Sequence, residues 1–164
     1  MARYSFIDAT FRTGYVENSP ANSSADANGD IVVNPGSRIP SIPRQSFRIR
    51  VDYDVNGAVS FGANLVANSG SGLRGDENNR DVNGPVPGYA VLNLDGRWKI
   101  SNKLELFGRI DNVFNTQYAN FGVLGTNVFA NPTKTFDPAN GIAEPFYGLG
   151  APRGAWIGLR YEWE

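Results

Sequence analysis

Two neighbouring segments of the chain alternate between apolar and polar residues. In the first, the small or apolar positions Ala90, Leu92, Leu94, Gly96, Trp98 and Ile100 alternate with Asn93, Asp95, Arg97 and Lys99. In the second, Leu104, Leu106, Gly108 and Ile110 alternate with Glu105, Arg109 and Asp111. A period of two is the side-chain period of a β-strand. With Ser101-Asn102-Lys103 as the turn, the pattern predicts a β-hairpin with one apolar and one charged face.

The charges of this hairpin select its register. An apolar face that stays on one side of the sheet allows only registers that differ by two residues. One such register sets Lys99 opposite Glu105. The same register sets Asp95 opposite Arg109, whereas a slip of two residues brings like charges together. Opposite charges across a strand pair stabilise it by roughly 0.2–1 kcal/mol, so we expect this register and a charged face neutralised in pairs.

Four further segments alternate in the same way and predict four more strands. They are Arg3 to Tyr15, Gln45 to Asp54, Val59 to Ala67 and Arg153 to Trp163. Val55-Asn56-Gly57 predicts a three-residue loop with Gly57 in the left-handed conformation, which pairs Tyr53 with Val59. Polar stretches rich in Pro and Gly predict long loops over residues 16–44, 68–87 and 116–152. The predicted fold is all-β, an antiparallel up-and-down meander of about six strands.

Alternation alone fits two kinds of protein. In a soluble sandwich the apolar face is core, and in an outer-membrane barrel it meets lipid. Here long and short connections alternate, so all tight turns lie at one edge of the sheet, as in barrels with short periplasmic turns and long extracellular loops. Aromatic residues of the apolar parity lie near the tight-turn edge, where an interfacial girdle belongs: Tyr53, Trp98, Tyr161 and Trp163. These features favour a partial segment of a transmembrane β-barrel.

Composition narrows the function classes. The 164 residues carry a formal net charge of −1, and no basic patch points to nucleic acid. The chain has no Cys and no His, which removes thiol nucleophiles, histidine bases and the usual zinc and copper ligands. We therefore expect no catalytic residues that depend on these side chains, no metal and no cofactor. The N-terminal residues MARYSFIDAT lack the apolar core of a signal peptide, so for an exported protein we expect a start further upstream.

Several short motifs lie between residues 40 and 163. They are Arg74-Gly75-Asp76-Glu77-Asn78, Pro87-Gly88-Tyr89-Ala90-Val91-Leu92-Asn93-Leu94, Leu104-Glu105-Leu106-Phe107, Asp111-Asn112-Val113-Phe114-Asn115 with Tyr118, and Ala151-Pro152-Arg153-Gly154 before the last strand. Together they resemble the C-terminal barrel of TonB-dependent outer-membrane receptors. The asparagine-aromatic motif followed by Tyr118 is the most specific part. Glu164 departs from the family, which usually ends on an aromatic residue.

The resemblance implies both a fold and a function. Such receptors are barrels of about 22 strands with a plugged lumen. The resemblance implies a transporter rather than an enzyme. The family imports scarce nutrients, most often ferric siderophores, and cobalamin or a carbohydrate is the alternative ligand. The implied partners are outer-membrane lipid, the nutrient, and TonB, which acts through a plug domain. Nothing in the chain resembles that plug, so we expect residues 1–164 to be a C-terminal segment of the receptor barrel in the bacterial outer membrane.

Candidate ligand-binding residues lie in the long loops. The loop over residues 116–152 carries more aromatic surface than a plain external loop needs. It either folds on an apolar cluster of its own or presents its aromatic rings to a ligand, and both interpretations stay open. In the loop over residues 68–87, an arginine is placed to meet an acidic ligand. The candidates are Arg74, Tyr118, Phe121, Phe129, Phe136, Phe146 and Tyr147.

Three other motifs have plainer interpretations. Arg74-Gly75-Asp76 matches an integrin-binding tripeptide, but the family motif accounts for it. An oxygen-rich run lacks the twelve-residue spacing of a calcium loop, so we interpret it as a solvated loop; its members are Asp76, Glu77, Asn78, Asn79 and Asp81. Paired carboxylates on the charged face would suit glycoside hydrolysis, but the register pairs them with cations. We interpret that face as the wall of a polar lumen.

A rival function is a soluble β-module that binds a partner through its long loops. The two functions require different surroundings for the apolar face, because a soluble module must cover it and a barrel wall leaves it open. The barrel interpretation predicts a sheet whose first and last strands are free edges, since this segment alone cannot close. It also predicts an open apolar band of Phe61, Leu65, Leu92, Leu94, Leu106, Ile110 and Ile157.

Overall fold

The computed structural model describes residues 1–163, and this part of the chain contains ten β-strands. They are β1 (Ala2–Phe6), β2 (Tyr15–Asn18), β3 (Asp30–Val33), β4 (Gln45–Asp54), β5 (Val59–Asn68), β6 (Tyr89–Lys99), β7 (Leu104–Asp111), β8 (Ala119–Asn127), β9 (Ile142–Leu149) and β10 (Gly154–Tyr161). Helical structure in this part of the chain is limited to a 3₁₀ turn, Pro138–Asn140. None of the described helical structure has the length and apolarity needed to cross a membrane. Glu164, the predicted departure at the chain end, lies outside the described residues.

Six of the strands form one sheet in the order β1-β4-β5-β6-β7-β10. Every neighbouring pair is antiparallel. This sheet is an up-and-down meander. The other four strands form two small separate hairpins in the long connections, β2 with β3 and β8 with β9. In the described chain β1 and β10 are the two edges and do not pair with each other. The predicted all-β fold, an unclosed barrel segment, is therefore confirmed.

The β6–β7 hairpin has the register that its charges predicted. Lys99 lies opposite Glu105 and Asp95 opposite Arg109. The expected ion pair between Asp95 and Arg109 is nevertheless wrong. Asp95 Oδ2 instead accepts a hydrogen bond from Arg50 Nη2 of β4 at 2.9 Å. Arginine is long enough to reach a carboxylate two strands away, so direct opposition does not decide the partner.

The turn between β4 and β5 is wider than predicted. Tyr53 pairs with Phe61 rather than with Val59, a slip of two residues that keeps the apolar face intact. Gly57 has the predicted left-handed conformation, with φ of 72°. The Asn56 side chain explains the wider turn, because its Oδ1 accepts the Val59 N–H at 2.9 Å. Asparagine often bonds to backbone groups two or three residues on, and here that bond competes with the sheet ladder.

The first strand is shorter than predicted. It ends at Phe6 instead of continuing to Tyr15, although irregular pairing with residues 36–44 follows, as in the 3.1 Å bond from Ile39 N to Ala9 O. That partner segment contains Pro40 and Pro43. Proline has no N–H for a ladder bond, so the regular strand stops where they begin.

Two segments predicted as long loops contain hairpins. The first hairpin pairs β2 with β3. In β3, Ile31 and Val33 are buried and Val32 is exposed. That alternation is too short to identify from sequence. The second joins β8 to β9, and a bulge between Ala119 and Phe121 breaks its period. The long loops at this edge of the sheet therefore have secondary structure of their own.

Most buried apolar side chains lie in the loops and not on the apolar face of the sheet. The buried apolar residues are Ala21, Ile31, Val33, Leu73, Val86, Val91 and Leu124. On the sheet, Phe61 is 58% exposed and Ile157 74% exposed. Leu94 and Ile110 are also exposed, and the rest of the predicted apolar band is half-buried. The rival soluble sandwich requires this face to be covered, and it is open.

Candidate ligand-binding loops and lumen wall

Asn112 connects the sheet to the third long loop. It is 2% exposed, with φ of 49°, a left-handed conformation that asparagine tolerates better than most residues. Its side chain accepts the Thr116 N–H at 2.8 Å and donates to the carbonyls of Thr116 and Ala151. Asn115, also left-handed, accepts the Arg153 N–H at 3.0 Å. The asparagine-aromatic motif therefore fixes both ends of this loop.

The three long loops pack against one another. Their shared core contains Ala21 from the first loop, Leu73 and Val86 from the second and Leu124 from the third. Arg74 N donates to Gly122 O at 2.9 Å, and Leu124 N donates to Arg74 O at 2.8 Å, which makes one parallel bridge between the second and third loops. The loops are thus one packed layer.

A buried polar network reinforces this layer. Asn22 of the first loop donates to Gly75 O at 2.9 Å and to the side-chain oxygens of Asp76 and Asn78. Asp76 is 5% exposed, and its Oδ1 also accepts the Arg80 N–H at 2.8 Å. The interpretation of this run as a solvated loop is wrong, because these polar groups exchange water for partners on the neighbouring loop. Glu77, Asn78 and Asp81 are buried too, and Asn79 stays exposed.

Asp81 closes the network on its other side. Its Oδ2 accepts the Ser23 N–H at 2.8 Å, and its Oδ1 accepts the Asn83 N–H at 2.9 Å. Burial alone would raise the pKa of the Asp81 carboxyl. The hydrogen bonds from Ser23 and Asn83 outweigh burial and lower this pKa below its ordinary value. Asp81 therefore joins the first two loops most strongly as a carboxylate.

Glu77 differs from its neighbours. It is 7% exposed, and among the described residues its Oε2 has no hydrogen-bond partner, while Oε1 accepts the Gly75 N–H at 3.0 Å. Burial raises the pKa of this carboxyl, and the nearby Glu17 and Asp76 charges raise it further. Within residues 1–163, no cluster of three or more His, Cys, Asp or Glu side chains is placed to hold a metal ion.

Arg74 lies on the exposed surface between the second and third loops. Its backbone is fixed by the bridge to the β8 segment, so its side chain starts from an ordered position. The following Gly75 and Asp76 are enclosed by Ser19 and Asn22, whose side chains donate to Gly75 O at 2.7 and 2.9 Å. An integrin-type tripeptide must present its aspartate, and here that aspartate is buried.

The candidate aromatic residues separate into groups along the β8–β9 hairpin. Tyr118, at its base, packs on Tyr89 with ring centroids 4.4 Å apart. Phe129 and Phe136, in the connection between the strands, are 5.8 Å apart. The hairpin therefore orders its rings in pairs at its two ends, and the six rings do not form one cluster.

The faces of the hairpin also differ. Tyr147 is opposite Gly122, on the face where Leu124 is buried against the second loop. Phe121 and Phe146 share the opposite face and are both exposed. The packed cluster describes the first face only at Gly122 and Leu124, which are buried, because the Tyr147 ring on that face is 41% exposed. Open aromatic rings therefore occur on both faces of this hairpin.

The charged face of the sheet carries a strip of ion pairs. Arg50 contacts both Asp52 and Asp95. A Cβ on Gly62 would overlap the Arg50 guanidinium and lie 2.6 Å from Asp95 Oδ2, so glycine leaves the space through which the arginine crosses β5. Further along, Arg109 contacts Asp111 and Arg160 contacts Glu105. Each of these carboxylates has a cation partner, as the lumen-wall interpretation expects.

Sequence reasoning missed Ser19, Asn22 and Tyr89 as parts of the site. Asn22 and Asp76 are 54 residues apart in the chain, and no local pattern signals their contact. The family resemblance includes Asn112 in a motif without assigning it a role. Two asparagines three residues apart at a strand end, followed by a polar loop, are the available signal for a left-handed junction.

The family model described as "TonB dependent receptor-like, beta-barrel" matches residues 1–113, from the start of the chain to just beyond β7. No curated protein matches the chain in sequence.

Several solved structures share the fold of the chain. The siderophore receptor PiuA from Acinetobacter baumannii superposes with a TM-score of 0.59 at 15% identity, over 84% of this chain and 16% of that one. The ferric-catecholate import receptor Fiu from E. coli K12, in its closed form, gives 0.53 at 17% identity, over 75% and 14%. The ferripyoverdine receptor of Pseudomonas aeruginosa gives 0.53 at 16% identity, over 80% and 16%. At such identities the likeness concerns the fold, and this chain spans 16% or less of each of these proteins.

Proposed function

We propose a function from one premise: the chain belongs to the TonB-dependent receptor β-barrel family. Barrels of this family are outer-membrane transport receptors, not enzymes, which bind siderophores or other nutrients and interact with TonB. Residues 1–164 form a C-terminal wall segment of such a barrel. The segment lies in the bacterial outer membrane, and the receptor takes up a scarce nutrient with energy delivered through TonB and a plug domain.

The open apolar face of the sheet carries this proposal. Phe61, Leu94, Ile110 and Ile157 are exposed on one side of an antiparallel sheet whose other side carries ion pairs. This arrangement suits lipid on one side and a polar lumen on the other. The packed loops lie together at one edge, which in such a barrel is the outer rim.

A ferric siderophore is the proposed nutrient. Support comes from the structural neighbours, which include siderophore, ferric-catecholate and ferripyoverdine receptors. Among the candidate residues, Phe121 and Phe146 offer an exposed aromatic face, and Arg74 lies nearby at the bridge to Val123. An acidic, partly aromatic ligand suits both features. We propose the same role, more peripherally, for Tyr118, Phe129, Phe136 and Tyr147.

Uptake by the bacterium that carries the gene tests the proposal. Deletion of the gene should reduce uptake of radioactive iron supplied as ferric siderophores and leave uptake of cobalamin and labelled maltodextrins unchanged. Phe121→Ala with Phe146→Ala should reproduce the defect. Phe114→Ala is the matched control, because Phe114 is also an exposed aromatic residue but lies outside the hairpin. Loss of cobalamin or carbohydrate uptake would replace the proposed ligand, and recovery of the protein in the soluble fraction would overturn the receptor itself.

A further inference from the structure

We propose that Arg3 and Arg48 form a binding patch for an oxyanion on the charged face of the sheet. The two residues are direct partners across β1 and β4, so their side chains leave the same face side by side. Cβ atoms of such partners lie about 4.5–5.5 Å apart. Two guanidinium groups carried on neighbouring Cβ atoms can reach the oxygens of one carboxylate, catecholate or phosphate group.

The other arginines of this face are already engaged. Arg50, Arg109 and Arg160 contact carboxylates, and Arg97 donates to Ser60 Oγ at 2.7 Å. Within residues 1–163, no carboxylate forms an ion pair with Arg3 or Arg48, and both are exposed. Like charges directly opposite each other destabilise a sheet. An anion between the two guanidiniums removes this repulsion.

Hydroxyl groups complete the patch. Ser5 lies opposite Ser46, two residues from the arginines along the same face. Asn68 follows on β5 as the partner of Ser46, and its Nδ2 donates to the Tyr89 hydroxyl at 2.9 Å. On the side of the long loops the cationic pair is therefore bordered by neutral hydrogen-bonding groups, and on the other side by Arg50, whose carboxylate partners are already bound to it.

The place of the patch in the sheet indicates the source of the anion. β1 ends and β4 begins at the edge where the long loops lie, and Arg48 is close to that edge. A ligand that passes the loops meets Arg3 and Arg48 before it reaches the occupied Arg50. In terms of the proposed function, on which this step rests, the anion is an acidic group of the imported nutrient.

Nuclear magnetic resonance of the arginine side chains tests the patch. The chain, ¹⁵N-labelled in detergent micelles, is titrated at constant ionic strength with inorganic phosphate and with gallium citrate, a diamagnetic substitute for a ferric carboxylate complex. The Nε–H signals of Arg3 and Arg48 should shift together, with at least fivefold tighter binding of gallium citrate. Arg48→Gln should weaken binding at least fivefold. Arg97→Gln, on the same face but bonded to Ser60, should leave it unchanged.

Each other outcome overturns part or all of the inference. Absent shifts, or equal weakening by Arg97→Gln, refute the patch. Binding of phosphate without gallium citrate refutes the nutrient as its source. If Arg48→Gln does not fold, Arg3→Gln on the edge strand replaces it. Normal iron uptake after gene deletion would reject the proposed function without affecting the titration, so the two failures are distinguishable.

Discussion

Arg50 of β4 binds Asp95 of β6 across the whole width of β5. The bond from Nη2 to Oδ2 is 2.9 Å long, and it passes above Gly62, which is the cross-strand partner of Asp95. The charged face is thus held together over three strands by a side chain that crosses the middle strand.

The first prediction concerns the glycine beneath this ion pair. Gly62→Ala should displace the guanidinium, because the new Cβ would occupy its position. A double-mutant cycle with Arg50→Gln and Asp95→Asn should give a coupling free energy of about 0.5–3 kcal/mol in the natural chain and near zero in the Gly62→Ala background. Urea unfolding in micelles measures it. Gly108→Ala is the control, since its Cβ would have 3.6 Å to the nearest heavy atom.

Asn112 should be among the most sensitive polar positions. Asn112→Ala removes three side-chain hydrogen bonds. The alanine must also adopt the left-handed conformation, with φ of 49°, without the bonds that hold asparagine there. Each buried group left without a partner costs about 1–3 kcal/mol. Asn112→Gly should cost about 1–2 kcal/mol less, because glycine has no left-handed penalty. Equal losses of unfolding free energy in both variants would contradict this account, and the exposed Asn115→Gly should lose less than either.

Some strand registers could be predicted from the sequence and others could not. The β6–β7 register could be predicted because parity and charge agree within one local hairpin. The observed β4–β5 register differs from the predicted one by two residues, because the Asn56 side chain bonds to the backbone of its own turn. Neither the apolar alternation nor the charges of the strands reveal that bond. The ion pair of Asp95 was missed because Gly62 matters through the side chain it lacks.

Contacts between the long loops could be predicted least from the sequence. Leu73 is an isolated apolar residue in a polar stretch, and its cluster with Leu124 joins distant parts of the chain. Asn22 and Asp76 look like solvent-facing loop residues until the folded chain brings them together. Composition identified the candidate rings, but only the register of β8 with β9 separates Tyr147 from Phe121 and Phe146.

Leu73 tests whether the loops are one packed layer. It is 0% exposed, so Leu73→Ala should cost about 2–5 kcal/mol through the cavity it leaves. Hydrogen exchange should speed up at least tenfold at the N–H groups of Arg74 and Leu124, which bridge the second and third loops. Val82→Ala, an exposed change in the same loop, is the control. Unchanged exchange at the bridge would show that the loops are held independently.

Glu77 should make the loop layer sensitive to pH. Burial and the neighbouring carboxylates raise its pKa in the folded chain, so the folded state binds the proton more tightly than the unfolded state. The stabilising contribution is present below the ordinary glutamate pKa and is lost as pH rises through the raised value. The loss is about 1.4 kcal/mol for each pH unit that separates the folded and unfolded pKa values. Glu77→Gln should abolish this fall. Unfolding free energies measured against pH for the natural chain and for Glu77→Gln test this, and their difference isolates the contribution of Glu77 from that of Asp81. The lowered pKa of Asp81 acts in the opposite direction.

The membrane face gives the final prediction. Leu94 lies near the middle of β6 on the open apolar face, and Leu94→Arg should cost about 2–4 kcal/mol in a bilayer. Asn93→Arg, on the charged face, should cost far less, although Asn93 Oδ1 accepts the Asn112 N–H at 2.8 Å and any substitution loses that bond. Alanine variants at both positions measure the cost of losing the native side chain, which is subtracted from the cost of each arginine variant. Folding into vesicles measures all four, and equal costs for the two arginines would contradict a lipid-facing Leu94.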